Sequence, residues 1–158
     1  MDAMTGRIEA RLAKLGIELP EAQPPWADYV SYVVADSTVY LSGQLPKLGD
    51  ESYLGKFGAD LTVEQGRRAA RISAINMLPH LKEACGGDLD RVIRCIEIGG
   101  FVQCTPDFFE PPLVLNGASE LIVAVFGEEI GRHTRFAVGV ASLPFNYAVE
   151  IKAIFQID

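Results

Sequence analysis

Apolar residues recur along this chain with two different periods, and the changes of period divide it into helices and strands. A spacing of three and four residues, typical of a helix with one buried face, covers residues 5–15, a long segment from residue 62, and residues 112–129. β-Branched and aromatic residues cluster elsewhere, which predicts strands in residues 29–34, 38–45, 91–104 and 135–157. The last of these segments is long enough for two strands.

The long helix carries recognisable signals at its ends. Thr62 and Gln65 have the spacing of a capping box, in which each side chain accepts a hydrogen bond from the other residue's backbone N–H. Gly86-Gly87 is typical of a helix end. Pro79 lies inside the apolar pattern and removes one helical hydrogen bond, so we expect it to kink or shorten this helix.

Turn residues indicate how the strands are joined. Asp36-Ser37 predicts a hairpin between the first two strands, and Pro144-Phe145-Asn146 predicts a turn that joins the last two strands as a terminal hairpin. Gly99-Gly100 in the middle of the third strand predicts a bulge or bend. Residues 48–60 are polar and rich in glycine, so we expect a loop there.

The order of elements predicts an α+β fold in which two helices pack on one face of a mixed sheet. The other face of such a sheet must be covered, which favours a homo-oligomer. The first helix is followed by a proline-rich connector, so we expect residues 1–25 to form a helix and connector on the surface of a main domain, residues 26–158. The assembly should not depend on that helix.

Composition excludes several classes of protein. The chain has 158 residues, 49% of them hydrophobic and 22% charged, which is typical of one globular domain. No apolar run is long enough to cross a membrane and no secretory signal is evident, so we expect a cytoplasmic protein without a membrane partner. Its three cysteines have no CxxC spacing and predict neither disulfides nor zinc. The net charge of −7 argues against nucleic acid as a partner.

Charged residues, among them Arg135 and Glu150, interrupt the apolar C-terminal strands. Arg135 enters the first strand and can hold a carboxylate by two parallel hydrogen bonds, although an arginine at a strand end can also simply point to water. Glu150 lies among apolar residues of the last strand, where alternation would equally place it on a solvent-exposed face. The residues alone leave both alternatives open.

Further motifs, spread along most of the chain, resemble one known family, the RidA/YjgF imine deaminases, also called L-PSP endoribonuclease-like proteins. The match rests on Tyr29, Ser42-Gly43-Gln44, residues 86–92 (G-G-D-L-D-R-V), Asn116, Arg135, Leu143-Pro144 and Val149-Glu150-Ile151. The spacing from Arg135 to Glu150 agrees with the family without a gap. The N-G-A-S-x-L sequence in the second long helix resembles a longer branch of this family.

The resemblance implies a chorismate-mutase-like homotrimer with a ligand cleft between each pair of neighbouring subunits. Family members hydrolyse enamines and imines such as 2-aminoacrylate to 2-keto acids and ammonia, without metal or cofactor. By resemblance, Arg135 holds the substrate carboxylate, Glu150 accepts a proton from the attacking water, and four further residues line or support the cleft: Tyr29, Ser42, Gly43 and Asn116. This chemistry suits a partly desolvated carboxylate, whose pKa is raised.

The sequence departs from the family pattern beside the arginine. Ala137 replaces the usual cysteine, Phe136 replaces a small polar residue, and His133-Thr134 replaces Pro-Ala. Because Phe136 and Ala137 are expected at the cleft wall, they should change the range of substrates. They also favour an alternative function, a trimer that binds a small carboxylate or keto acid as a sensor or regulator without turnover. An endoribonuclease is disfavoured by the acidic charge and the lack of a histidine acid–base pair.

Overall fold

The computed structural model describes residues 6–158. Its helices are α1 (Arg7–Lys14), α2 (Val63–Ala84), α3 (Pro111–Phe126) and α4 (Glu128–Gly131), with short 3₁₀ turns at Leu89–Arg91 and Pro144–Asn146. Its strands are β1 (Tyr32–Ala35), β2 (Thr38–Leu41), β3 (Lys47–Leu48), β4 (Glu51–Ser52), β5 (Val92–Gln103), β6 (Thr134–Val140) and β7 (Val149–Ile157). The predicted start of the first helix, Thr5, lies outside the described residues.

Five strands form one mixed sheet in the order β1-β2-β7-β5-β6. Strands β5 and β6 are parallel, and the other neighbours are antiparallel. The predicted α+β class and mixed sheet are confirmed, but the predicted terminal hairpin is wrong, because β5 lies between β6 and β7. The physical reason is the β5-α3-β6 unit. A helix between two strands carries the chain back across the sheet and makes those strands parallel neighbours.

The core lies between the sheet and α2 and α3. Alternate residues of β7 are buried against the helices, beginning at Val149, while the residues between them are partly exposed on the other face. The capping box at Thr62 and Gln65 is confirmed by both hydrogen bonds. Pro79 does not shorten α2, which continues to Ala84. Pro79 is itself buried between helix residues of the core, and that burial offsets the missing hydrogen bond.

The predicted bulge at Gly99-Gly100 is wrong. Both glycines pair regularly with β6 and β7, and the irregularities of β5 fall earlier, between Val92 and Glu97. The two glycines instead make space for side chains on opposite faces of the sheet. A Cβ at Gly99 would meet the ring of Phe136, and a Cβ at Gly100 would meet Leu115 of α3. Close packing, and not a change of register, therefore requires glycine here.

The predicted hairpin of β1 and β2 is confirmed, with Asp36 at a positive φ of 51° in its turn. Its arms are shorter than predicted, because regular pairing begins at Tyr32 and ends at Leu41. Tyr29 and Ser42-Gly43 therefore lie just beyond the strand ends. The predicted loop after Leu48 is partly ordered, since β3 and β4 form a small two-stranded sheet.

Helix α1 is more closely integrated with the core than a surface helix. Its apolar side chains Ile8 and Leu12 are buried within the same core cluster as α2 and α3. Asp90 accepts hydrogen bonds from the backbone N–H groups of Arg7 and Ile8, each at 2.8 Å, and so supplies the N-terminal cap that Gly6 cannot. Lys82 on α2 also pairs with Glu9 at 3.0 Å.

Replacing Asp90 with alanine should destabilise the protein by loosening α1. Two helix N–H groups would lose their acceptor, which typically costs about 1 kcal/mol and lowers Tm by about 2–4 °C in a domain of this size. Thermal unfolding would measure the change. Asp90→Asn is the matched control, because its amide oxygen still accepts one of the two bonds and should give an intermediate Tm. Equal Tm values for all three proteins would contradict this role for Asp90.

Among residues 6–158, none of the helices combines the length and the hydrophobicity that a membrane-spanning helix requires.

Candidate active site

A pocket of about 470 Å³ lies where the first hairpin meets the connector after α1 and the C-terminal half of α2. It contains three of the residues predicted from the sequence, namely Tyr29, Ser42 and Gly43. They come together because Tyr29 precedes β1 and Ser42-Gly43 follows β2, and an antiparallel hairpin brings these two ends side by side.

The Ser42 side chain has a structural role within this pocket. Its hydroxyl donates a hydrogen bond to the Val30 carbonyl at 2.7 Å, and its backbone N–H donates to the Ser31 carbonyl at 2.9 Å. These two bonds hold the Tyr29 segment beside the end of β2. Because the hydroxyl proton is engaged, Ser42 can accept a hydrogen bond from a ligand but is not free to donate one.

Glu150 lies against the backbone of Gly43. Gln44 and Ile151 exchange two backbone hydrogen bonds of 2.8 and 3.1 Å, which brings these neighbouring residues together. A Cβ at Gly43 would collide with the Glu150 carboxylate, so glycine is required for this approach. Glu150 is half-buried, and burial raises the pKa of its carboxyl group above the ordinary value. A carboxylate in this state is a better proton acceptor than an exposed one.

Arg135 lies on the edge strand β6 and is held from one side by α3. Its Nη1 donates to Asn116 Oδ1 at 2.9 Å and, at 3.3 Å, to Ser119 Oγ. Within residues 6–158, no carboxylate lies within 4 Å of its guanidinium nitrogens. The exposed guanidinium is therefore oriented by neutral acceptors and keeps its charge and its remaining donors for another group.

Ser119 and His133 extend this network, and neither was predicted from the sequence. The ring of His133 is 2.6 Å from the Gly131 carbonyl through Nδ1 and 2.9 Å from Ser119 Oγ through Nε2. A carbonyl only accepts, so Nδ1 carries the proton and Nε2 accepts from the Ser119 hydroxyl. Burial lowers the pKa of His133, and the positive Arg135 lowers it further, while the Gly131 bond acts in the opposite direction. His133 is therefore a neutral support for Ser119.

A sequence signal for these two residues existed in their spacing. Ser119 lies three residues after Asn116, one turn further along α3 on the same face. His133 lies two residues before Arg135, where an extended chain points side chains to the same side. The signal becomes specific only when β6 and α3 are known to pack together.

The predicted site residues form two groups in a single copy of the chain. Arg135 pairs with Ile98 in the sheet and faces α3, and Ala137 shares that face. Glu150 pairs with Phe101 on the opposite face. Phe136 lies on the face of Glu150, with its ring packed edge-on against Phe101 at 5.6 Å. Strand β5 separates β6 from β7, so one copy does not bring Arg135 and Glu150 into one cleft.

The chain matches the YjgF/chorismate-mutase-like endoribonuclease family over residues 9–155. It belongs to the RidA/YjgF family. It is 48% identical to Protein TCP17 of Trypanosoma cruzi over 155 residues, which are 98% of this chain and 96% of that protein. Among solved structures it resembles Atu1372 of Agrobacterium tumefaciens, a protein of unknown function, at 47% identity and a TM-score of 0.88, covering 96% of this chain and 92% of the other.

More distant members of the RidA/YjgF family share the fold. The E. coli TdcF structure with bound serine is 23% identical, with a TM-score of 0.59, and covers 87% of this chain and 94% of its own. Its match is shorter and structurally looser than the match to Atu1372. The fold predicted from the resemblance is thus confirmed.

In this RidA/YjgF chain, the turn between β6 and β7 lies behind two residues of the pocket wall, Trp26 and Tyr147. Buried Gln103 donates to the Gly55 carbonyl and to Asn146 Oδ1 at 2.9 and 2.8 Å, and it accepts from the Leu143 N–H at 2.7 Å. These bonds hold the turn, in which Phe145 has a φ of 54°, a conformation that costs energy for a residue with a side chain. The Phe145 ring packs edge-on against Trp26 of the connector, with centroids 5.3 Å apart.

Proposed function

We propose that the protein hydrolyses reactive enamine and imine intermediates of the 2-aminoacrylate type to 2-keto acids and ammonia. The observation that carries this proposal is the Arg135 guanidinium, anchored through Nη1 on Asn116 and Ser119 and without an acidic partner in the described chain. An oriented, unpaired guanidinium on an edge strand suits a small carboxylate, which it can bind by two parallel hydrogen bonds. Asn116 supports this clamp, and Ala137 lies two residues further along β6 on the same face of the sheet.

Glu150 supplies the second chemical function in this proposal. Water adds to the carbon of the protonated imine while Glu150 accepts a proton from that water. Protonated Glu150 then returns this proton to the nitrogen of the carbinolamine. The C–N bond breaks, ammonia leaves, and the hydroxyl proton passes to solvent as the keto group forms. The raised pKa of Glu150 supports both proton transfers, since a carboxylate that binds a proton more tightly is the better base and the acid that it forms can return the proton. The reaction as written needs no metal or cofactor.

We further propose that the working cleft lies between neighbouring subunits of a homotrimer. Arg135 and Glu150 face opposite sides of the sheet, so a second copy must bring its Arg135 to the contact between Gly43 and Glu150 in the first. The side of the sheet away from the helices also exposes large apolar residues, with Val33, Tyr40 and Val138 each about half accessible. An assembly that covers this face would remove that apolar surface from water.

Mixing two inactive variants tests the shared cleft directly. Arg135→Ala and Glu150→Gln subunits, each inactive alone, should regain activity when they are co-expressed. In a randomly mixed ring about one quarter of the clefts would receive an intact Arg135 from one subunit and an intact Glu150 from the next. Steady-state imine hydrolysis would measure the recovery, with mixing of separately assembled oligomers as the control. No recovery in co-expressed mixtures of confirmed composition would place both residues in one subunit.

The second candidate is a trimer that binds a small carboxylate or keto acid without turnover. Ala137 favours this candidate, because its methyl group contributes no reactive atom beside the clamp. The fold of TdcF, which has a structure with bound serine, accommodates one small amino acid. Imines generated in solution by an amino-acid oxidase separate the two candidates. Faster imine loss with wild type than with Arg135→Ala supports the hydrolase, whereas binding of 2-keto acids without any acceleration supports the sensor.

A further inference from the structure

The pocket beside Gly43 is larger than the proposed minimal substrate requires. Its volume of about 470 Å³ falls in the range of about 300–1,000 Å³ that holds drug-sized ligands. An imino acid as small as 2-aminoacrylate would fill only a fraction of it. The pocket also reaches from Ser42-Gly43 to Asn76 and His80 on α2, away from the face that carries Glu150. We propose that it binds the side chain of a larger substrate, an aromatic imino acid that carries a neutral hydrogen-bonding atom recognised by His80.

The position of the substrate carboxylate rests on the proposed function, but separate observations support the pocket as a binding site. The first is His80. The residue lines the pocket and is 4% exposed, and its Nδ1 has no hydrogen-bond partner within residues 6–158. A buried polar atom without a partner destabilises the folded protein, so its retention calls for an explanation. Because His80 lines the pocket, a ligand that hydrogen-bonds to its imidazole would offset this cost.

The charge state of His80 sets the kind of atom that it can recognise. Burial lowers the pKa of the ring, and the nearby Glu83 only partly opposes this shift. The imidazole is therefore neutral near pH 7 and offers one donor and one acceptor. The two ionic side chains of the pocket wall, Glu21 and Lys47, have opposite signs and add no net charge. A hydroxyl or an indole N–H fits this environment better than a second carboxylate or an ammonium group.

The walls of the pocket indicate an aromatic ligand. Trp26, Tyr29 and Tyr147 line it together with prolines of the connector. Trp26 is 70% exposed and is oriented by its edge-on contact with Phe145, itself held in a strained turn by buried Gln103. An exposed, oriented aromatic side chain such as Trp26 can pack edge-on or offset against the ring of a ligand, which favours binding beyond the burial of apolar area.

The floor of the pocket is already rigid. Asn76 donates from Nδ2 to the carbonyls of Leu45 and Lys47, at 3.0 and 2.8 Å, and so joins α2 to the segment that follows Gly43. His80 lies one helical turn further along the same face. The Nδ2 donors of Asn76 are thus engaged in structure, whereas the Nδ1 atom of His80 has no hydrogen-bond partner within residues 6–158. A preformed site of this kind loses little conformational entropy when a ligand binds.

Binding of 2-keto acids, the products of the proposed reaction, tests this inference by calorimetry at neutral pH. The series is pyruvate, phenylpyruvate and 4-hydroxyphenylpyruvate, of which the last two differ by one hydroxyl. We expect both aromatic acids to bind wild type at least about tenfold more tightly than pyruvate, and the hydroxyl to add a further factor of about ten. Equal affinity for pyruvate and the aromatic acids would overturn the inference.

His80→Leu is the decisive variant, since leucine preserves apolar volume and removes the hydrogen bond. It should abolish the preference for 4-hydroxyphenylpyruvate over phenylpyruvate and leave pyruvate binding unchanged. Ser73→Ala is the matched control, because Ser73 is also buried on α2 with an unpartnered hydroxyl but does not line the pocket. A preference that survives in His80→Leu, or that is lost equally in Ser73→Ala, would overturn the role of His80.

A ligand without a carboxylate separates this inference from the proposed function. 4-Methylphenol keeps the aromatic ring and hydroxyl, and it should raise the Tm of wild type and of Arg135→Ala but not of His80→Leu. If 4-methylphenol raises these Tm values while no keto acid binds, the pocket inference is supported and the proposed binding of a carboxylate by Arg135 is wrong. If pyruvate binds through Arg135 but 4-methylphenol does not bind and the aromatic acids bind no more tightly than pyruvate, the carboxylate clamp is supported and the pocket inference is wrong.

Discussion

Arg135→Ala should lower the affinity for 2-keto acids by about 100-fold or more and abolish imine hydrolysis, while folding and assembly persist. A bidentate, charge-assisted contact contributes about 3 kcal/mol, which corresponds to a factor of about 100 in Kd. The side chain is exposed and its partners Asn116 and Ser119 are neutral, so its loss leaves no buried charge behind. Calorimetric titration with pyruvate and light scattering would measure binding and assembly.

Two further variants separate charge from geometry at this position. Arg132→Ala removes the same charge three residues away, where the arginine pairs with Glu128 on the surface of α4, and it should leave affinity unchanged. Arg135→Lys keeps the charge but loses the planar fork, so its affinity should fall between those of wild type and Arg135→Ala. Loss of the oligomer in Arg135→Ala would instead assign the arginine a structural role. Unchanged affinity of this variant for 2-keto acids would show that Arg135 does not bind their carboxylate.

Glu150→Gln should lower kcat by about 10²–10⁴, the usual contribution of a general base, while changing the Kd for pyruvate by no more than a few-fold. Glutamine has the same shape and fits against Gly43, but it cannot accept the proton of the attacking water. Wild type should also lose activity as the pH falls through the raised pKa of Glu150, and the variant should lack this acidic limb. Equal losses in kcat and in binding would argue against a role in activating water.

The same pKa shift makes a separate prediction for stability. Burial raises the pKa of Glu150 in the folded protein, so folding favours its protonated form. The associated stability is present below the unfolded pKa and is lost as the pH rises through the folded pKa. Wild type should therefore lose Tm relative to Glu150→Gln as the pH rises from about 4 through the raised pKa of Glu150. A parallel pH dependence of Tm in both proteins would mean that the carboxylate is not desolvated.

Local signals in the sequence predicted much of the secondary structure. The capping box at Thr62 and Gln65, the turn at Asp36-Ser37 and the helical spacing of α3 each depend on residues within a few positions of one another, and all three are found in the structure. Element bounds were less accurate. Tyr29 and Ser42-Gly43 lie outside the paired residues of β1 and β2, and they line a pocket.

Strand neighbours could not be predicted from the same signals. Pro144-Phe145-Asn146 forms a turn as expected, but the strands that it joins are separated by β5. A turn motif reports only a local change of direction, whereas the place of β6 is decided by the crossover through α3. The prediction of a bulge at Gly99-Gly100 was wrong for a related reason. Glycine is needed there because of the Phe136 and Leu115 side chains, which lie elsewhere in the sequence.

Periodicity and residue identity at given spacings were enough to predict the α+β class, the RidA/YjgF family and the candidate residues Arg135 and Glu150. Three features depend on the packing of the folded chain: the two residues face opposite sides of the sheet, Ser119 and His133 support the arginine, and His80 lines a pocket walled by the connector. These features arise where segments far apart in the chain are packed together, and no pattern within one segment determines which distant segment it will contact.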